Sequence, residues 1–411
     1  MMTLYDHLVA ACPRDAGSFA AFRSLGFPTI REEDWRFTNL APYLKDDYRL
    51  VVPSPDVSLV RELLRSCAVD GWDAARIVFV NGVLQESLSD VPSTGSLSDV
   101  LVDTSTYRLA GLNAALSQGV GFKMARANKP IHLIHLYTTD VPAFFQPRVR
   151  FVLPSLAELT LLESSLCATG VAPVMINALL ECVLEEGARL THYVLQSGRK
   201  GERLLSHTQV VQARDSVYDN VTLNLPEADL IRNQLNVTLD GTGCECHLYG
   251  LYLPADHQLI DNHTVVDHRQ PNCESNELYK GVLRGNARAV FNGKIFVRRE
   301  AQKTNAFQKN NNLLLGDKAM VHSKPQLEIF ADDVKCSHGS TIGQFNPDSL
   351  FYLRARGIGE EMAKELLVQA FGADITERVS SAAVQRHLEK HLHRERPIIH
   401  RYDVPKHVEH I

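Results

Sequence analysis

The sequence holds no apolar run approaching the roughly 18 to 20 residues that a membrane span requires. Its opening stretch, MMTLYDHLVAACPRDAG, carries acidic residues early and no basic segment ahead of an apolar one, so no secretory leader is read there. No C-x-x-C occurs among the eight cysteines, which are scattered at 12, 67, 167, 182, 244, 246, 273 and 336. A chain of 411 residues can bury a large core without staples, and scattered thiols in such a chain point to a reducing, cytoplasmic compartment. The sequons at Asn220, Asn236 and Asn262 are then chance matches. No G-x-x-x-x-G-K-[ST] loop is present, so the chain is not expected to hydrolyse nucleotides on its own. Nor does a G-x-G-x-x-G follow a strand, and SGRKGER reads as a polar turn. A formal charge of -5 argues for neither nucleic acid nor an anionic membrane as partner.

What is present is an ordinary globular composition, 45% hydrophobic and 22% charged, arranged in three textures. Residues 1–125 mix helices with short strands. SFAAFRSLGFPTIREEDWRFTNLAPYL has Phe19, Phe22 and Leu25 at helical spacing before Gly26 and Pro28 stop it. VSLVRELLRSCAV repeats that spacing, and ARIVFVNGVL reads as strand, turn and strand. Across residues 126–345 the pattern shifts to period two. PIHLIHLYT, ARLTHYVLQS, DNVTLNLP, QLNVTLDG and CECHLYGLYL alternate, enriched in β-branched and aromatic residues. So many short strands fit a sandwich, a barrel or a solenoid, and QKNNNLLLG favours the solenoid. Stacked coils would set its Asn residues in hydrogen-bonded ladders at corners while Leu fills the core. No repeat period is assignable from the residues alone. Residues 346–411 return to helix: Leu350, Leu353, Ile358, Met362, Leu366, Leu367 and Phe371 keep helical spacing, broken once at Gly357-Ile358-Gly359. A charged tail follows.

Cys336 and His338 stand one residue apart in ADDVKCSHGSTIGQ. On a strand they share a face with Cα atoms roughly 6 to 7 Å apart, close enough to hold one iron or one cluster edge. The same spacing suits a small apolar core thiol beside a hydrogen-bonded histidine. A protease-like dyad is disfavoured, because no nucleophile-bearing helix or oxyanion nest flanks the pair. In CECH, Cys244 and Cys246 share one face and are expected to point inward, with Glu245 and His247 on the other. DNHTVVDH, with Asp261, His263, Asp267 and His268, fits either an iron access route or a solvated strand and corner. His387 and His391, at i and i+4, could hold a metal weakly, though solvated surface is the plainer account for these and for His393, His400, His407 and His410.

The block from Asn276 to Phe371, NELYKGVLRGNARAVFNGKIFVRREAQKTNAFQKNNNLLLGDKAMVHSKPQLEIFADDVKCSHGSTIGQFNPDSLFYLRARGIGEEMAKELLVQAF, closely resembles the SufB/SufD family of iron–sulfur cluster assembly subunits. The likeness extends upstream through RNQLNVTLDGTGCECHLYGLYL and DNHTVVDHRQPNCESNELYKG, and EEDWRFTNL matches the family's N-terminal signature. It is weakest between residues 41 and 125. The resemblance implies a right-handed parallel β-helix flanked by N-terminal and C-terminal helical regions. It also implies a non-catalytic subunit that pairs with the paralogue SufB and docks the ATPase SufC through its C-terminal helices. That docking surface maps to Pro347–Val379, with Pro347, Leu350, Phe351, Leu353, Ile358, Met362 and Leu366 as its contacts. A simple cap on the solenoid's end is the alternative role for those helices. Where the SufB branch carries a cluster-building cysteine and a Glu after the histidine, this chain has Ala319 and Gly339, so it is similar to the SufD branch. On that analogy His338, with Cys336 beside it, contributes to iron or a transient iron–sulfur cluster shared with SufB. An isolated copy could instead pair with itself through exposed strands. The competing reading, a polysaccharide lyase or hydrolase on a β-helix, finds only the acidic cluster at 331–333 and no leader to support it.

Overall fold

The computed structural model describes residues 3–13, 16–51, 56–126, 128–168 and 172–394. Two ten-stranded sheets dominate it, and nearly every neighbouring pair of strands is parallel. From Glu158 onward the chain lays one strand in the first sheet and the next in the second. Val217–Asn224, Glu245–Tyr252, Glu274–Leu283, Asn305–Leu314 and Lys335–Gly343 therefore stack as neighbours in a single sheet. This is a parallel β-solenoid of about eight turns. Paired residues on successive turns lie roughly thirty positions apart, within the range of a stacked repeat. The repeat escapes a reading by eye because chemically unlike residues share a register column: Asn220, Leu248, Glu277 and Gln308 follow one another.

Period-two alternation puts every second side chain inside. Tyr218, Cys246, Leu248 and Tyr252 of the first sheet meet Ile231, Ile260, Phe291 and Ile295 of the second in one apolar core. The Asn run corrects an expectation. Asn310, Asn311 and Asn312 are mid-strand rather than at a corner. Asn310 and Asn312 point inward, where Asn310 Nδ2 donates to the Tyr252 hydroxyl at 2.9 Å and Asn312 Nδ2 to Asn310 Oδ1 at 2.7 Å. Tyr252, two turns away and reaching past Gly281, and the neighbouring inward amide on the same strand supply these partners, which removes the cost of burying them. The residues just before the strands are instead small: Ala188, Ser216, Cys244, Cys273 and Thr304 are all buried there.

Each sheet has an outer face, and each is covered by a different part of the chain. N-terminal residues including Leu8, Phe19, Phe22 and Leu40 pack on Met175, Leu205, Leu230 and Leu259 of the second sheet. The stretch EEDWRFTNL laces this cover down. Glu32 takes two hydrogen bonds of 2.7 Å from Arg108, Trp35 lies 3.9 Å under the Arg232 guanidinium, Phe37 stacks on His322 at 3.8 Å, and Thr38 donates to Asp261. The C-terminal helices Glu360–Thr376 and Ala382–Arg394 bury Val368, Ile375, Val384 and Leu388 against Tyr193, Leu223 and Leu251 of the first sheet. They lie along the solenoid's side and do not cap its end. That end, formed by Met320–Ile329 and Lys335–Gly343, stays open, each strand pairing with one neighbour in its sheet. Among the described residues no helix is long and apolar enough to cross a membrane.

Candidate functional site

The strand Lys335–Gly343 pairs with Asn305–Leu314 on one side only, and its register sets Cys336 beside Ala306 and His338 beside Gln308. Ala306 and Gln308 both point into the solenoid, so Cys336 and His338 do as well; the spacing argument for a shared face holds. Their surroundings differ. Cys336 is half-buried and packs on the apolar core, and that burial pushes its thiol above the usual range. A cation would therefore have to displace its proton. One step further along, the lumen has no turn above it, and His338 is exposed.

The His338 ring is held by the chain behind it. Its Nδ1 lies 3.1 Å from the carbonyl oxygen of Pro325 on the other sheet's last strand. A carbonyl can only accept, so Nδ1 carries the hydrogen and Nε2 is left with a free lone pair. This is the tautomer of an imidazole that binds a metal through Nε2, with its other nitrogen fixed by a carbonyl. Below His338 in the same column, Gln308 Nε2 donates to Glu277 Oε2 at 2.6 Å. Burial raises the Glu277 carboxyl to about 7, against the opposing pull of its hydrogen bonds with Thr264 and Gln308. Among the described residues no three His, Cys, Asp or Glu side chains gather as a metal site, so the pair at 336 and 338 has no third ligand there. Ala319, at the start of the last turn, packs against the core.

The other candidates are placed elsewhere. Cys244 and Cys246 are fully buried core residues, as alternation required, and His247 on the outer face lies 3.5 Å from Glu245. DNHTVVDH is not a solvated strand. Asp261 and His263 face outward but lie beneath the N-terminal cover, with Nε2 of His263 2.9 Å from Asp261 Oδ1, and His268 points inward to Ser275 Oγ at 2.9 Å. His387 is buried rather than solvated, because its helix packs on the first sheet; His391 Nδ1 lies 2.9 Å from the His387 carbonyl oxygen. His400, His407 and His410 fall outside the described residues. Of the docking set, Pro347 opens the helix Pro347–Ala355 with Asn346 as its cap, and Phe351 projects with 73% exposure. Leu350, Leu353, Ile358, Met362 and Leu366 are half-buried. Tyr352, 55% exposed beside Phe351 with Arg356 over its ring, belongs to the same surface and was not anticipated. Pro325 and Gln308 were also missed: a main-chain carbonyl carries no side-chain signal, and Gln308 becomes a neighbour of His338 only through the stacking.

Comparison with known proteins adds the lineage. Residues 135–371 match the SufBD core domain of the SUF system for FeS cluster assembly, and residues 9–106 match the SufBD protein N-terminal region. The chain belongs to the SufBD family. It is 31% identical over 397 residues to an iron–sulfur cluster assembly SufBD-family protein of Synechocystis, covering 89% of this chain and 86% of that one. It is 30% identical over 381 residues to the iron–sulfur cluster assembly protein SufD of Escherichia coli, covering 88% and 87%. The Bacillus subtilis SufD is 25% identical over 297 residues, covering 70% and 66%. The SufBD core domain thus begins inside the strand Ile131–Tyr137 and ends within the helix Glu360–Thr376, so it takes in both the solenoid and its first flanking helix.

Proposed function

We propose that this SufBD-family chain is a non-catalytic subunit of the iron–sulfur assembly scaffold. It pairs with a SufB-type paralogue at the open end of its solenoid and docks the SufC ATPase on the surface around Phe351. Its own contribution to the chemistry is His338, seconded by Cys336, as ligands to iron or a nascent cluster that the partner completes. The observation that carries this reading is the His338 imidazole on an uncovered last turn, its Nδ1 committed to Pro325 and its Nε2 lone pair free. Two soft-metal ligands are too few for a closed site, which is why a second chain is needed. The cluster is cargo here, built and passed on.

The test is reconstitution with SufB and SufC under anaerobic conditions. Size-exclusion chromatography should give one assembly of all three chains, for the native protein and for His338→Ala alike. The variant assembly should hold at most a tenth of the native iron and sulfide. Failure of the native chains to assemble would overturn the scaffold reading; unchanged iron in the variant would remove His338 from the site.

A further inference from the structure

Two cysteines away from that site are joined by the solenoid itself. Glu245 and Glu274 pair on adjacent turns, and the Glu274 amide donates to the Cys244 carbonyl at 2.9 Å, so Cys244 and Cys273 occupy the same position one turn apart. Both side chains point inward, 0% and 1% exposed. Their sulfurs converge on one acceptor: Cys244 Sγ lies 3.1 Å and Cys273 Sγ 3.3 Å from the Gly241 carbonyl oxygen, with Ala213 O another 3.0 Å from Cys244. Adjacent strands stand about 4.8 Å apart, inside the roughly 4.4 to 6.8 Å separation of Cα atoms that a disulfide spans. We propose that Cys244 and Cys273 are a redox pair which a peroxide converts to a disulfide, stapling two neighbouring turns of the solenoid.

The pair is enclosed, and its shared acceptor comes from a neighbouring turn. The turn Asp240–Gly243 lies above it, and two of its four residues are glycines. A Cβ at Gly241 would sit 2.1 Å from the Arg214 amide, and Gly243 has φ +72°, so side chains are kept out of the cover. The two thiols act on each other, Cys244 being drawn down chiefly by Cys273 and Cys273 pushed up chiefly by Cys244, whereas burial raises the other six cysteines. Either thiol can attack first, and the step is the same written for Cys244. Its sulfur takes one peroxide oxygen as the O–O bond breaks, giving a sulfenic acid and hydroxide, which leaves as water with a proton. Cys273 then loses its proton and attacks that sulfur; the S–S bond forms, the S–O bond breaks and a second water departs. Two thiols are oxidised by two electrons and one peroxide is reduced to two waters.

The experiment exposes the folded, fully reduced protein to a few-fold excess of hydrogen peroxide, then denatures it in alkylating agent and maps peptides without reduction. Two of the eight thiols should be lost and a peptide linking Cys244 to Cys273 recovered, both reversed by dithiothreitol. In Cys273→Ala, Cys244 should stop at the sulfenic acid and be trapped by dimedone; in Cys246→Ala the linked peptide should form as in the native chain. Eight free thiols after treatment, or a bridge joining other cysteines, would overturn the proposal. The native peptide map decides the matter even if the Cys273 variant folds poorly.

Discussion

Asp261 is wholly removed from solvent, yet it remains a carboxylate. Burial alone would raise its pKa, but Arg232, His263 and Thr38 together outweigh that and hold it at about 2. Because this folded value lies below the ordinary one, the contact stabilises the protein above about pH 4, and the stabilisation is lost as pH falls through 2. Asp261→Asn leaves the Arg232 guanidinium buried without a countercharge, and the urea midpoint should drop by the equivalent of about 3 to 5 kcal/mol at neutral pH. Glu277 has the opposite sign. Its carboxyl, raised by burial to about 7 from 4.5, binds its proton more tightly in the folded state. Stability therefore declines as pH rises from about 4.5 to 7 and stays lower above that. Glu277→Gln keeps an acceptor for Gln308 and cannot ionise. Urea titrations across pH should show a flatter profile, with the variant more stable than the native chain at pH 8 by on the order of 3 kcal/mol. Neither residue announces its role in the sequence. A carboxylate on an alternating strand reads as solvent-facing until the neighbouring turn and the N-terminal cover are in place.

At the scale of the element, alternation was legible and stacking was not. CECHLYGLYL correctly gave Cys244 and Cys246 as one inward face, which Leu248 and Tyr252 continue, because that face depends only on the pleat. What stands above each inward residue depends on the next turn, roughly thirty residues on. Gly250 pairs with Tyr279 and Gly281 with Tyr252, so these two inward tyrosines each lie over a glycine of the adjacent turn. A Cβ at Gly250 would come within 2.3 Å of the Tyr279 ring, and one at Gly281 within 2.2 Å of Tyr252. Gly250→Ala should thus cost about 1 to 3 kcal/mol by crowding a fixed aromatic, measured as a lower denaturation midpoint with unchanged far-ultraviolet dichroism. The same alanine at Gly339, where a Cβ meets nothing within 4 Å, should be nearly neutral. The helical signals after Asn346 were equally plain. The side of the solenoid they cover, and the burial of His387 beneath them, came from packing between distant segments.

For the whole molecule, the decisive feature is that the two sides of the solenoid are covered and its last turn is not. Ile329 ends the second sheet's final strand and Phe330 follows it, 40% and 57% exposed, and Ile342 on the first sheet's final strand is 52% exposed. Unpaired main-chain groups run along the same edge. Such an edge is a template for another strand. Ile342→Lys should leave the melting of the isolated chain within about 0.5 kcal/mol of native, since the residue is already solvated. Association with a SufB-type partner should weaken at least tenfold, read by sedimentation or titration calorimetry. Equal affinity in the variant would move the interface away from this end.

The sequence by itself determined the strand alternation, the long β segment between two helical ones, and, through a resemblance spread over most of the chain, the SufBD family. These depend on local pattern or on matched residues, and both survive without coordinates. Tertiary structure decided which turn is last, and therefore that His338 faces an open lumen while Gln308, one turn below, is sealed. It also decided that the amide run lies inside the strands, and that EEDWRFTNL fastens the cover over the second sheet. The physical reason is the same in each case. A pleat is set by neighbours two residues away, whereas a solenoid's chemistry is set by neighbours a full turn away, whose identity no short-range pattern encodes.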